Sequence, residues 1–147
     1  MFKNPQKTDG TTAYMMDVDG KNQRIDIDEF DDYITADLSY MSKGSGGGGK
    51  AYEELFELSS SANKRFKTDS LQGHNTYRFY VNVLKRISSG KDISHIMKEG
   101  SDEPITNKFM KGRIRTLLTE FENGDTIKGE ALLYSKANLN MMRSFVR

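Results

Sequence analysis

A neutral-pH general base is most often histidine, and the sequence holds only two, His74 and His95. His74 stands in a polar stretch and His95 between Ile93 and Ile96. No Ser, His and Asp arrangement of a nucleophilic triad can be assembled from the local sequence around either. No carboxylate sits in an apolar run that would raise its pKa into a catalytic range. With no cysteine, disulfides and cysteine-ligated zinc are excluded together. These residue types predict a protein that is not an enzyme and carries no cofactor or metal.

Two local patterns imitate ligand loops. Gly44, Gly49 and Lys50 fall at the G-x-x-x-x-G-K spacing of a phosphate loop, where glycine amides converge on phosphates and the lysine meets the outer ones. That motif then needs Ser or Thr for magnesium, and Ala51 follows instead. Residues 44–49 read better as a Gly/Ser spacer, of the sort engineered in place of a disordered loop or used to tether a partner. Asp17, Asp19, Asn22, Asp26, Asp28 and Glu29 supply oxygens in the manner of a calcium loop. Setting Ile25 at loop position 8 and Glu29 at 12 places Val18 at 1, Gly20 at 3 and Gln23 at 6, so the register fails.

The strongest binding pattern is basic. On a helix beginning near Pro104, Lys108, Lys111 and Arg115 share an arc of about 60°, with Arg113 on another side. A short helix over 91–99 and the Gly100 turn before it give the outline of a helix-turn-helix. In that reading Thr106, Asn107, Lys108, Lys111, Arg113 and Arg115 meet bases or phosphates, while Asp102 and Glu103 oppose approach. Tyr77, Arg78, Lys85 and Arg86 form a second aromatic and basic set suited to single strands. Ordinary solvated helix faces carry the same residue types.

The elements that must position these groups divide at the glycine run. Residues 1–43 hold five cations against nine carboxylates, a net of −4, and residues 50–147 hold 17 against 12, a net of +5. The first part reads as an acidic arm, with a loose start, a hairpin over 12–18 and 24–27, and a helix over 29–42 with Phe30, Ile34, Leu38 and Met41 in one stripe. The second reads as a helical domain with helices over 50–67, 76–87, 91–99, 104–122 and 129–145. The fold class predicted is mainly α, a compact bundle of five to six helices with a small N-terminal hairpin.

Composition fits binding. Opposite charge on the two parts allows the arm to dock on the body or to stand in for a partner. Eight methionines add adaptable apolar surface. The primary expectation is docking to a protein partner, or to a second copy, in an assembly or regulatory complex. The alternative is DNA or RNA binding by the 104–122 helix. A small methionine-rich chain without cysteine also suits a viral or phage accessory factor. No run of 18 apolar residues and no leader pattern occurs, so the reading is intracellular with no membrane span.

Overall fold

The computed structural model describes residues 2–8, 11–18, 21–38, 47–71, 74–124 and 135–147. Within them lie four helices and one five-stranded mixed sheet, an α/β fold. The strands are β1 (Phe2–Thr8), β2 (Thr11–Val18), β3 (Lys21–Glu29), β4 (Tyr33–Asp37) and β5 (Arg65–Phe66). The helices are α1 (Gly47–Ser61), α2 (His74–Ser88), α3 (Asn107–Glu122) and α4 (Lys136–Val146). The expected bundle of five to six helices is therefore incorrect, and the sheet is the reason.

The first four strands form an antiparallel meander in sequence order, and β5 joins β4 in parallel. The predicted hairpin is present as β2 and β3, with Tyr14 opposite Ile25 and Met16 opposite Gln23. Strand alternation sends Met16, Gln23, Ile25 and Ile27 to the buried face and leaves Arg24 exposed. The start expected to be loose is β1, an edge strand. Its register shifts between Lys3 and Gln6, where Asn4 takes φ 54° and Pro5 follows. A bulge, a proline and flanking lysines blunt an exposed edge against added strands.

The helix expected over 29–42 is a second error. Phe30 and Ile34 do recur at helical spacing, yet the chain leaves β3 at Glu29, turns, and pairs again as β4. Tertiary pairing decides this: Ile27 lies opposite Ala36, and Ile34 lies beside Phe66 of β5. Ile34 is fully buried by that choice, whereas a helix there would leave β3 and β5 without a partner between them. Positions 39–42 of that expectation lie outside the described residues.

Helix α1 begins at Gly47, so Gly47, Gly48 and Gly49 belong to its first turn, and residues 44–46 lie outside the described ones. The chain leaves α1 at Ser61, passes Asn63 at φ 53°, and enters β5, which shortens the helix expected over 50–67. Helix α2 matches the apolar stretch 76–87. Residues 91–99, expected as a helix, are turns and bridges: Ile96 pairs with Phe66 in parallel, and Met97 pairs with Pro104. Gly100 is the hinge of this excursion. Its φ is +65°, and a Cβ there would lie 2.9 Å from the Ser70 hydroxyl oxygen. Helix α3 starts three residues later than expected and is capped by Thr106, whose Oγ1 accepts from the Phe109 amide at 3.1 Å. The last predicted helix is described from Lys136 onward.

One hydrophobic core spans both sides of the glycine run, joining Met16, Ile25, Ile27 and Ile34 of the sheet to the buried faces of the helices. At its centre the Phe79 ring lies 5.6 Å from Tyr52, 5.7 Å from Phe56, 6.4 Å from Phe66 and 5.0 Å from Tyr80. Three of these four contacts are edge-on, the geometry the ring quadrupoles favour. This cluster fixes α1 and α2 against β5, and α2 in turn supports α3 and α4.

Candidate functional site

Helix α3 buries Met110, Ile114, Leu117 and Leu118 against the core. At 3.6 residues per turn this leaves Asn107, Lys108, Lys111, Gly112, Arg115, Thr116 and Thr119 on the outside, and all are exposed. Four of the eight residues singled out from the sequence thus lie together on one exposed surface: Asn107, Lys108, Lys111 and Arg115. Helix α4 packs beside α3, and an Arg115 guanidinium nitrogen reaches the Val146 carbonyl at 3.4 Å. Arg143 and Arg147 of that segment are exposed. From 107 to 119 and from 135 to 147 there is no acidic side chain.

The remaining four do not join them. Arg113 turns inward, its guanidinium 4.9 Å from the Tyr80 ring centre and ion-paired with Glu99. Arg78 and Arg86 are buried on α2. Arg86 donates to Glu57 at 2.7 Å and to the Asp92 carbonyl at 3.1 Å, closing the turn after α2. Lys91 meets the same Glu57 at 2.8 Å, and these two cations hold that carboxyl below its usual range, Lys91 most strongly. Lys85 is exposed and lines a groove of about 270 Å³ with Glu53, Glu57 and Ser89. The aromatic and basic set on α2 is therefore not one surface, because a helix directs positions 77, 78, 80, 85 and 86 to different sides. Tyr77 and Tyr80 face the core, and burial pushes Tyr80 up to about 12, with Glu99 beside it adding to the rise.

The helix-turn-helix outline also fails, since 91–99 contains no helix. The same loop removes the acidic objection to α3. Asp102 is ion-paired with Lys67, which holds its carboxyl low, and Arg65 lies 3.6 Å away. Glu103 is bound by Lys98 at 2.9 Å. Lys108 and Lys111 have no carboxylate partner among the described residues, and neither does Arg115.

A groove of about 510 Å³ runs beside this surface, lined by Lys98, Thr106, Lys108, Phe109, Gly112, Arg113 and Thr116. Lys98, Phe109, Gly112 and Thr116 were not singled out from the sequence. A usable signal was present, since Lys108, Gly112 and Thr116 follow at steps of four and a glycine inside a helix weakens it by about 1 kcal/mol against alanine.

His95 is half-buried, its Nε2 3.1 Å from the Phe56 carbonyl, and burial holds it below its ordinary value against the opposing effect of that bond. That is a packing role between α1 and the 91–99 segment. The side chain of His74 lies outside the described residues. Ala51, which occupies the magnesium position of the phosphate-loop pattern, is fully buried in the core. No group of three or more metal-binding side chains occurs among the described residues, and none of their helices is long and apolar enough to cross a membrane.

The arrangement is that of an α/β protein with an exposed basic face on α3. Comparison with protein-family models, curated proteins and solved structures gives no match.

Proposed function

We propose that the protein acts by non-catalytic binding, and that the α3 face holds the phosphate backbone of a nucleic acid. One observation carries this reading: Lys108, Lys111 and Arg115 are exposed on a single face without a carboxylate partner among the described residues, whereas seven other cations of the helical part are committed to acids. Lys64, Arg65, Lys67, Arg86, Lys91, Lys98 and Arg113 each meet a carboxylate. A helix face that keeps three like charges uncompensated costs stability through repulsion, and phosphate contacts offset that cost.

The test is retardation or anisotropy of labelled DNA and RNA with Lys108→Glu, Lys111→Glu and Arg115→Glu combined. Three phosphate contacts imply a log–log salt slope near −2, so affinity falls roughly twentyfold between 50 and 200 mM salt. The triple reversal abolishes binding. Unchanged binding, or binding insensitive to salt, refutes the reading.

A second reading, docking to a protein partner in an assembly or regulatory complex, is favoured by the β3–β4 turn. Phe30 is 46 % exposed and stacks on Tyr33 at 4.4 Å in the β3–β4 turn, flanked by Glu29, Asp31 and Asp32. An exposed aromatic pair suits a protein contact, with Glu29 and Asp32 beside it paired to Lys64 and Arg65 and Lys67 over the Tyr33 ring. The triple reversal on α3 leaves that contact intact, which separates the two.

A further inference from the structure

The groove beside α3 deepens the nucleic-acid reading, on which this inference rests. Its wall is the Lys98 and Phe109 pair, with the ammonium 4.5 Å from the ring centre. Lys108, Gly112 and Thr116 stand one above another along its other side, as positions four apart on a helix must. Gly112 sits in the middle of a sixteen-residue helix, and a Cβ built on it meets nothing within 4 Å. Among the described residues no neighbour requires the missing side chain and no unusual backbone angle does, so their packing gives no reason for a residue that weakens a helix. A ligand that approaches the helix backbone at this point gives one.

We infer that the groove receives a nucleotide of a single strand, and that the α3 face binds single-stranded nucleic acid in preference to duplex. The volume, about 510 Å³, falls within the span of roughly 300–1,000 Å³ found for small-ligand clefts. The contents match an unstacked nucleotide: Lys108 for the phosphate, the Thr116 hydroxyl for a polar edge, and Phe109 with the bare Gly112 surface for the flat apolar faces. A duplex keeps its bases stacked inside and offers a concave feature of this size only phosphate, leaving the aromatic and the glycine without a role.

The experiment is fluorescence anisotropy of the full chain with a labelled mixed-sequence 20-nucleotide DNA strand, the matching RNA, and the duplex of the same DNA sequence. Gly112→Leu projects a side chain into the groove, and thermal melting of each variant reports folding. The wild-type chain binds the single strand at least tenfold more tightly than the duplex. Gly112→Leu erases that preference while melting no lower than wild type, and Gly112→Ala gives a partial loss with equal or higher melting temperature. Equal affinity for strand and duplex overturns the inference, as does a folded Gly112→Leu chain that keeps full single-strand affinity. Should Gly112→Leu melt lower than wild type, the decision passes to Gly112→Ala and to Lys98→Ala, and undiminished single-strand affinity in both overturns it. Loss of all binding in the α3 triple reversal, together with intact binding in the groove variants, discards the groove and keeps the basic face. No binding by the wild-type chain discards both.

Discussion

Replacing Glu99 with alanine removes the group that ties the 96–105 segment to the helices. Its Oε2 accepts from the Leu71 amide at 2.7 Å, and its Oε1 accepts from the Tyr80 hydroxyl at 3.2 Å and from the Arg113 guanidinium. The Glu99 side chain is 14 % exposed and that of Arg113 33 %. Truncation leaves three donors short of an acceptor, one of them charged. Breaking a buried ion pair costs about 3–5 kcal/mol, and the partial exposure of Arg113 moves the expectation to about 3 kcal/mol. Glu99→Gln keeps an acceptor but loses the charge, for about 1–2 kcal/mol. At about 2–4 °C per kcal/mol for a chain of this size, Glu99→Ala melts roughly 10 °C lower. Removing the stranded charge as well, in Glu99→Ala with Arg113→Met, recovers part of the loss. Denaturant unfolding followed by circular dichroism measures all three variants. A Glu99→Ala chain within about 0.5 kcal/mol of wild type refutes the argument, because ordinary surface changes fall in that range.

Two further outcomes follow from single groups. Burial holds His95 below its ordinary 6.5, so between its folded value and 6.5 the unfolded chain binds the proton and the folded chain does not. This contribution to stability is complete above pH 6.5 and is lost as pH falls through the folded value; His95→Gln flattens the slope, and an identical profile in wild type and variant counts against it. Gly100→Ala forces a Cβ into φ +65° and to 2.9 Å from the Ser70 hydroxyl, at a cost of about 1–2 kcal/mol in unfolding free energy. A variant as stable as wild type contradicts that geometry.

The helices were legible wherever one face alone had to be buried. Met110, Ile114, Leu117 and Leu118 repeat at helical spacing with lysine, arginine and threonine between them, and α3 forms there. From Tyr77 to Leu84 every residue of α2 is buried, so that stretch has no polar face to mark its helical period. The β2–β3 hairpin was legible because alternation and turn residues both lie within a few positions. The 29–42 segment was misread because Phe30, Ile34 and Leu38 satisfy a helical stripe while pairing with β3 and β5 is a long-range property. The 91–99 segment was misread in the same way: Ile93, Ile96 and Met97 look like one face of a short helix, yet Ile96 is spent on Phe66, thirty positions earlier.

The candidate site divides along the same line. Local sequence placed Lys108, Lys111 and Arg115 on one arc, since three residues on one helix need only the helical period to come together. Local sequence also excluded disulfides and fixed the opposite charge of the two halves. Only the tertiary structure put Arg113 on Glu99, sank Arg78 and Arg86 into α2, engaged Asp102 and Glu103 with cations from β5 and the 96–105 segment, and opened a groove at Gly112. Each of these depends on which distant element a side chain meets. The reach of a hydrogen bond or an ion pair is a few ångströms in space, whatever the separation along the chain.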